Sequence, residues 1–340
     1  MKEKKVTAIF CAVFAAVFYA ANMPLSKLLL QIIEPTFLAS FLYLGAGIGI
    51  GIVFLFGKAR RKNEEKLSKN DLPYTVGMIV LDIAAPVLLM IGLKSAASAN
   101  ASLLNNFEIV ATSLIALFVF KEVISARLWT AIGLITLSSM LLSFENISGF
   151  RLSYGSLFIL AAAVCWGFEN NFTKKISSKS TYQIVTLKGL FSGLGSFLIA
   201  LILKEKFPQI QYIAYALLLG FVSYGLSIFL YVRSQKELGA AKTSAFYAVA
   251  PFIGALLSFI ILKETITENY IAALLLMIIG SALVVWDTLV LNHTHLHTHT
   301  FVHTHDGSTH THTIEHSHGH RHFISEEGHI HRCSDKDSKL

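Results

Sequence analysis

Apolar runs about as long as a membrane is thick recur along this chain. Of its 340 residues, 54% are hydrophobic and only 14% are charged, whereas a soluble domain usually has about 25% charged residues. A helix of roughly 20 apolar residues spans about 30 Å of hydrocarbon, so each run is a candidate transmembrane helix. The composition therefore predicts an all-α polytopic membrane protein. The net charge of +7 indicates an unequal distribution of Lys and Arg between the loops on the two sides of the membrane, rather than a surface for nucleic acid.

We predict ten transmembrane spans with mostly short connections. They cover residues 6–30, 36–56, 72–93, 97–120, 127–144, 155–174, 181–203, 212–233, 240–262 and 269–291. If the N-terminus is cytoplasmic, the inside segments before the tail hold sixteen Lys and Arg residues and the outside segments hold five. Because cytoplasmic loops carry the excess of basic residues, this asymmetry predicts that both termini lie in the cytoplasm. We expect the protein in the plasma (inner) membrane.

The second half of the chain repeats the first. Shifted by 142 positions, GAAKTSAFYAVAPFIGALLSFIILKE at 239–264 follows the pattern of LKSAASANASLLNNFEIVATSLIALFVFKE at 93–122, and both end in Lys-Glu. Each repeat holds five predicted spans, an odd number, so the second copy enters the membrane from the opposite side. Two inverted five-helix repeats, 1–145 and 146–291, are typical of secondary transporters. A His-rich tail, 292–340, follows them, and its composition predicts a disordered cytoplasmic segment.

Several polar and ionisable side chains lie inside the predicted spans. A charge at mid-helix costs about 2.5–3.5 kcal/mol on the insertion scale, so such a residue usually faces a partner or a pathway. Spacings of three and four place the polar positions of spans 1, 4 and 6 on one stripe each. The residues that we assign to a substrate pathway are Tyr19, Asn22, Asp82, Asn105, Glu108, Trp166, Glu169, Lys188 and Pro251.

A purely structural role of these residues stays open beside the role in a substrate pathway. Small and polar positions also serve to pack membrane helices together. Asp82 also fits a structural pair with a lysine, and Lys27, near a helix end, can snorkel to the interface. Pro24, Pro86 and Pro251 lie inside predicted spans, where each removes one intrahelical hydrogen bond and acts either as a hinge or as a simple kink.

Three stretches share the pattern of one known family. They are WGFENNFTKK at 166–175, GAAKTSAFYAVAPFIGALLSFIILKET at 239–265, and the first-half run that ends in Lys121-Glu122. On these motifs the chain resembles the EamA family of the drug/metabolite transporter superfamily. The resemblance implies a ten-helix carrier that exports or takes up small metabolites, often amino acids or related compounds, driven by a gradient. The family usually has a Pro midway along spans 4 and 9; Pro251 fits, but the first copy has Glu108-Ile109, so no family role transfers to Glu108.

All fourteen histidines of the chain lie in the tail. They alternate with other residues, and in an extended chain positions two apart share a side. Imidazole suits Zn, Ni, Co and Cu, and a fold-back around Asp306-Gly307 would bring the two halves of the tail together. A disordered tail without a ligand and a pH sensor stay open as alternatives. The predicted metal ligands are His293, His295, His297, His299, His303, His305, His310, His312, His316, His318, His320 and His322.

Three functions remain open at this point. The first is a secondary, proton-coupled carrier of a small amino-acid-like metabolite; the second is a divalent transition-metal carrier or exporter; the third is a non-transporting metal sensor. The sequence contains no Gly-x-x-x-x-Gly-Lys-Ser/Thr loop, which disfavours ATP-driven transport, and it predicts no enzymatic activity. We expect no required cofactor and no nucleic-acid partner. The expected partners are a small-molecule substrate, the lipid bilayer and divalent metal ions at the tail, and a homodimer is left open.

Overall fold

A computed structural model describes residues 2–56, 65–121, 124–146, 151–176, 179–238, 243, 246–305 and 308–323 of the chain. The chain divides into two compact units, Met1–Val285 and Trp286–Leu340. The first unit is a helical body. The second begins within the last helix of the body and contains the His-rich tail.

Helices follow the two repeats in order. Those of the first repeat are α1 (Lys2–Ala20), α2 (Asn22–Leu29), α3 (Pro35–Phe56), α4 (Leu72–Ser95), α5 (Ser98–Leu104), α6 (Phe107–Phe118) and α7 (Ala126–Ser143). Those of the second are α8 (Tyr154–Ile176), α9 (Thr181–Ile202), α10 (Ile210–Gly220), α11 (Ser227–Leu238), α12 (Ala250–Leu262) and α13 (Glu268–Leu289). A 3₁₀ turn (Lys69–Asp71) precedes α4, and a π-helical turn (Phe221–Leu226) joins α10 to α11. Two short strands, β1 (Phe144–Asn146) and β2 (Arg151–Leu152), pair between the repeats.

Most of the predicted spans reappear as helices fit to cross a membrane. Among the described residues, eight segments are long and apolar enough: Val6–Leu29, Pro35–Leu55, Lys69–Ser95, Ser98–Phe118, Ala126–Ser143, Thr181–Ile202, Ile210–Tyr231 and Glu268–Asp287. The other two predicted spans coincide with α8, where Glu169, Asn170 and Asn171 interrupt the apolar run, and with the shorter α12. The polytopic all-α fold is therefore confirmed, and the count of ten crossings stays a prediction.

A turn interrupts each of two corresponding spans that the sequence predicts as continuous helices. In span 4 a turn at Asn105-Asn106 separates α5 from α6, and in span 9 a turn at 248–249 directly precedes α12. The shift of 142 between the repeats carries position 106 to 248, so the two breaks overlap. Asn favours turns because its side chain competes for backbone hydrogen bonds.

Pro251 lies in the first turn of α12 rather than at mid-helix. At that position a backbone N–H has no intrahelical partner in any case, so a proline costs no hydrogen bond there. The expectation that Pro251 removes an intrahelical bond is therefore wrong, while Pro86 does lie inside α4. Pro251 begins a half-helix instead of bending a whole one.

Helix packing in the body has an approximate two-fold symmetry. Helix α4 packs on α8, and its counterpart α11 packs on α1; α6 packs on α8, and its counterpart α12 packs on α1. The pairs α3 with α9 and α5 with α12 join corresponding spans of the two repeats. Exchanging the repeats thus exchanges equivalent contacts. Combined with an odd number of predicted spans in each repeat, this is the architecture of an inverted repeat.

Glycines permit the closest helix contacts around α3. A Cβ placed on Gly45 would lie 2.0 Å from the carbonyl oxygen of Leu217 in α10, and one placed on Gly220 would lie 2.0 Å from that of Leu42. The two backbones therefore touch directly. Small residues allow such contact in membranes, where packing rather than the hydrophobic effect holds helices together.

Replacing Gly45 with Ala is expected to lower the thermal stability of the body clearly, because the added methyl must displace the backbone of α10. Overpacking of this kind costs about 1–3 kcal/mol or more. The matched control is Gly133→Ala in α7, where nothing lies within 4 Å of the added atom. Ala is ~1 kcal/mol better than Gly in a helix, so the control should melt no lower than the parent protein. Equal melting temperatures of the two variants in detergent would contradict the packing argument.

The tail forms an antiparallel ladder of its own. Strand β3 (Val290–His305) pairs with β4 (Ser308–Phe323), and the predicted fold-back places His303 opposite His310. The turn between the strands and the residues after Phe323 lie outside the described residues. The disorder that composition predicts for the tail stays a prediction. The boundaries assigned to the two repeats and the tail stay predictions.

Candidate substrate and coupling site

Three charged side chains from three helices meet inside the body. Lys188 Nζ of α9 lies 3.0 Å from Asp82 Oδ2 of α4 and 3.0 Å from Glu169 Oε1 of α8. The side chain of Asp82 is fully buried, that of Glu169 is 3% exposed and that of Lys188 is 18% exposed. Buried charges cost several kcal/mol each unless they are paired, so both carboxylates depend on the one ammonium group. We call these three residues the charged triad.

Close packing of α9 on α3 fixes the position of Lys188. The next residue, Gly189, lies so near α3 that a Cβ on it would be 2.5 Å from the backbone of Gly47. Beyond Lys188, Ser192 donates a hydrogen bond to the carbonyl oxygen of Ile79 in α4 at 3.3 Å. Contacts to two helices therefore hold the lysine-bearing turn of α9 between α3 and α4.

Aromatic side chains extend the triad toward α2. The Tyr43 hydroxyl donates to Asp82 Oδ1 at 3.0 Å, and Trp166 Nε1 donates to the Tyr43 oxygen at 3.4 Å. The ring centroids of Tyr43 and Tyr224 are 5.3 Å apart. Asn22, at the start of α2, donates to the Tyr224 hydroxyl at 3.0 Å. A continuous set of polar and aromatic contacts thus runs from the triad to the break between α1 and α2.

Glu169 has a second hydrogen-bond partner on its own helix. Thr173, one turn further along α8, donates from its hydroxyl to Glu169 Oε1. The same carboxylate oxygen therefore receives a hydroxyl and the Lys188 ammonium. Hydrogen bonds to an ionised group are stronger than neutral ones, so this arrangement holds the carboxylate in one orientation.

Glu108 lies outside the triad, in the first turn of α6. Asn170 donates to Glu108 Oε1 at 2.6 Å and to Thr112 Oγ1 at 3.3 Å. Gly167 permits this contact, since a Cβ on it would lie 2.6 Å from Ala111 Cβ of α6. The N-terminus of a helix favours a negative charge, and the described partner of Glu108 is a neutral amide. Unlike the triad carboxylates, Glu108 forms no ion pair with a cation among the described residues.

The break in span 4 leaves polar atoms unpaired. Asn105 Nδ2 donates to the Tyr19 hydroxyl at 3.0 Å, and the Tyr19 ring lies 6.0 Å from Tyr224 and 5.8 Å from Tyr247. Asn105 Oδ1 and Asn106 Nδ2 have no hydrogen-bond partner among the described residues, although the two residues are only 7% and 6% exposed. A buried polar group without a partner costs about 1–3 kcal/mol. These atoms are therefore well placed to bind a polar solute.

Lys27 contacts the C-terminal end of α4, which agrees with a structural role for this residue. Its ammonium group donates to three carbonyl oxygens at the C-terminal end of α4, at 2.7–3.1 Å. At the adjoining start of α5, the Glu264 carboxylate accepts from the amides of Ser98 and Ala99, at 2.7 Å and 2.9 Å. A cation at a helix C-terminus and an anion at a helix N-terminus both interact favourably with the helix dipole. We therefore assign neither residue to the site.

Eight of the nine predicted pathway residues occur in these contacts, and Pro251, which has no polar side-chain atom, marks the second helix break. The eight are Tyr19, Asn22, Asp82, Asn105, Glu108, Trp166, Glu169 and Lys188. Their role in a substrate pathway stays a prediction.

Sequence reasoning missed Tyr43, Tyr224 and Asn170. A signal existed for the two tyrosines, because Tyr prefers the membrane interface and a mid-span Tyr needs a hydrogen-bond partner. Asn170 stood beside Glu169 in the quoted WGFENN motif without a role. Its spacing of three residues from Gly167, on the side of α8 that meets α6, was the available clue.

The described charged side chains of the triad form ion pairs inside the body. Among the described residues, no group of three or more His, Cys, Asp or Glu side chains lies together as a metal site. The two carboxylates of the triad already enclose the Lys188 ammonium. What the site offers a solute is negative charge, amide groups and aromatic faces.

Known proteins resemble this chain over most of its length. An uncharacterized transporter of Methanothermobacter thermautotrophicus is 25% identical over 292 residues, covering 80% of this chain and 84% of the relative. The uncharacterized transporter YyaM of Bacillus subtilis is 22% identical over 253 residues (72% and 82%), and one from Clostridium kluyveri is 26% identical over 282 residues (78% and 89%). A solved crystal structure, 18% identical with a TM-score of 0.61, covers 83% of this chain and 96% of its own, which shows a shared fold.

The family comparison identifies both repeats. The model of the EamA-like transporter family matches twice, over residues 6–144 and 153–286. The two matches together cover nearly all of the helical body and separate close to the boundary between the predicted repeats. The chain therefore belongs to the EamA-like transporter family and is a multi-pass membrane transporter.

Proposed function

We propose that the chain is a secondary transporter of a small, amino-acid-like metabolite that carries a cationic group, working by alternating access and coupled to protons. The observation that carries the proposal is the charged triad together with Glu108. Asp82 and Glu169 share the Lys188 ammonium group, and the third carboxylate, Glu108, accepts from Asn170, the neighbour of Glu169 in the chain. A cation or a proton from outside the protein is the natural complement of this surplus negative charge.

The triad supports proton coupling. Asp82 and Glu169 share one Lys188 ammonium at equal distances of 3.0 Å. With both carboxylates ionised the triad carries one net negative charge in a buried setting, which is costly. Taking up one proton removes that charge without moving a helix. Proton relays are one of the roles of carboxylates inside a membrane domain.

Glu108 supports substrate binding. It lies in the first turn of a half-helix, beside Asn170, and close in sequence to the unpaired amide atoms of Asn105 and Asn106. A substrate ammonium group would pair with the Glu108 carboxylate, and a substrate carboxylate would accept from Asn106 Nδ2. Discontinuous helices whose broken ends meet a zwitterionic solute are a recurrent design in transporters.

The repeat symmetry supports alternating access. Corresponding helix breaks lie at 105–106 and 248–249, and corresponding helices make equivalent contacts. Two similar halves of opposite orientation can exchange conformations, and this exchange opens a central site to one side and then to the other. We propose the plasma membrane as its location, and the basic residues of its loops support an orientation with both termini cytoplasmic. Homodimer formation is a further proposal, which light scattering on the purified protein tests.

Neutralising Glu108 is expected to weaken substrate binding without removing proton coupling. In Glu108→Gln the Asn170 contact is retained but the charge is lost. Since a hydrogen bond to a charged group contributes about 1.5–3 kcal/mol, KM should rise ~10-fold or more. The measurement is uptake into proteoliposomes under a pH gradient, with a solute chosen by a thermal-shift screen of amino acids, nucleosides and divalent metals. The control is Glu34→Gln, which alters an exposed pair with Lys94.

The same assay tests the proposal as a whole. A pH gradient should drive accumulation of an amino-acid-like solute by the parent protein and by the Glu34→Gln control. An unchanged KM in Glu108→Gln would remove Glu108 from the binding site. Transport of metal ions by the body without the tail, and of no organic solute, would replace the proposal by the metal carrier. We further propose that the tail binds divalent metal, independently of transport.

A further inference from the structure

The register of the tail places histidine opposite histidine. In the ladder of β3 and β4, four rungs join two histidines directly, because residue i pairs with residue 613 − i along the whole length. These rungs are His293 with His320, His295 with His318, His297 with His316, and His303 with His310. A shift of one residue in either strand would pair histidine with threonine, serine, glycine or another residue instead. The register is therefore a specific property of this hairpin.

Strand periodicity gathers the histidines on one face of the ladder. Successive positions of a strand alternate between faces, and on β3 every histidine has an odd number, while on β4 every histidine has an even number. Since odd positions of β3 pair with even positions of β4, all the histidines of both strands share one face. Threonine dominates the opposite face, and its branched side chain suits a strand. The alternation thus serves both the strand and the placement of the histidines.

We infer that this histidine face is a metal-binding array for divalent first-row transition metals such as Zn²⁺. The inference rests on the proposed metal binding by the tail and adds the geometry that carries it. Directly opposite positions of an antiparallel pair have Cβ atoms about 4.5–5.5 Å apart. Two adjacent rungs therefore place four histidines at neighbouring register positions, which is the number of ligands that a tetrahedral Zn²⁺ site takes. Imidazole nitrogen is a ligand that suits Zn, Cu and Ni.

The array divides into two groups of ligands. The group far from the turn consists of the three consecutive rungs formed by His293, His295, His297, His316, His318 and His320. The group near the turn consists of the His303–His310 rung with His305 and His312 on the same face. We expect at least two bound ions for each chain, because each group can supply four nitrogen ligands. In each site, ligands from both strands act together.

The test permutes residues without changing composition. In the β3 variant, neighbours in 292–299 are exchanged pairwise, which moves the histidines to even positions but keeps every His-x-His spacing. In the β4 variant, neighbours in 315–322 are exchanged pairwise in the same way. The double variant carries both exchanges, so that histidine is again opposite histidine, now on the other face. Zn²⁺ binding to the full-length protein in detergent is measured by isothermal titration calorimetry, and the melting of the body confirms that each variant is folded.

The expected result is loss and rescue of the sites far from the turn. Even the loss of an outer-shell partner costs ~10–100-fold in metal affinity. Each single variant, which separates the ligands of one site onto two faces, should therefore bind the affected ions at least about tenfold more weakly. The double variant should regain the parent affinity. Equal affinity of all four proteins would contradict the array and would mean that local His-x-His pairs bind the metal. No Zn²⁺ binding by the parent protein would contradict metal binding by the tail altogether.

Discussion

Replacing Lys188 with Met is expected to abolish transport and to destabilise the body. Met fills a similar volume but leaves Asp82, fully buried, and Glu169, 3% exposed, without a cation. Removing one partner of a buried ion pair typically costs about 3–5 kcal/mol, because the remaining charge has neither water nor a counter-ion. The variant should show a clearly lower melting temperature in detergent and no solute flux above that of protein-free liposomes.

Two further variants separate folding from function. Lys94→Met breaks a pair of similar length, 2.7 Å to Glu34, but both side chains are largely exposed, 50% and 42%. Surface pairs contribute about 0–1 kcal/mol, so this control should keep its stability and its flux. Adding Asp82→Asn and Glu169→Gln to Lys188→Met removes the uncompensated charges and should restore most of the stability while flux stays absent. Normal flux by Lys188→Met would show that the triad has no part in transport.

Fold class and span positions were predictable because the membrane dictates them. A segment of about 20 apolar residues has few alternatives to a transmembrane helix, since its backbone must satisfy its own hydrogen bonds in lipid. Most of the charged triad was predictable for the same reason, as a charge inside a span requires a partner. The sequence left open whether Asp82 pairs with a lysine, and in the structure Asp82 pairs with Lys188.

The helix breaks were not predictable from the apolar pattern, because hydropathy does not distinguish one long helix from two short ones. The pair Asn105-Asn106 indicated a turn, but we interpreted these residues only as part of a polar stripe on one continuous helix. Its counterpart at 248–249 has no asparagine, and the break there follows from the repeat and from Pro251. Comparing the two halves for breaks, rather than for matching residues, was the available route.

The partners Tyr43 and Tyr224 depend on the rotation of each helix about its axis. Nearly every residue of α3 is apolar, so its sequence gives little indication of which side meets the triad. Glycine contacts settle that rotation, since Gly45 and Gly47 must face α10 and α9. With those contacts fixed, Tyr43 can donate to Asp82. The rotation of a helix therefore depends on its contacts with neighbouring helices and cannot be deduced from the sequence of that helix alone.

Replacing Glu169 with Gln is expected to uncouple transport from protons while substrate exchange continues. The amide oxygen of Gln still accepts from Thr173, and Asp82 and Lys188 remain as a neutral pair at 3.0 Å. Without a surplus charge, the triad no longer requires a proton to become neutral, so a pH gradient has no group in it through which to act. Accumulation driven by the gradient should fall to the equilibrium level, and counterflow of labelled solute should stay within about tenfold of the parent rate.

The contrast with Glu108→Gln makes this assignment testable within one assay. Glu108 is paired with neutral Asn170 and lies at a helix break, whereas Glu169 shares a buried lysine with Asp82. If Glu108 binds solute and Glu169 carries the proton, the first variant raises KM and keeps accumulation, and the second keeps exchange and loses accumulation. Loss of both properties in both variants would mean that the carboxylates act as one unit. Retained accumulation in Glu169→Gln would move proton coupling away from the triad, because its remaining Asp82–Lys188 pair carries no net charge.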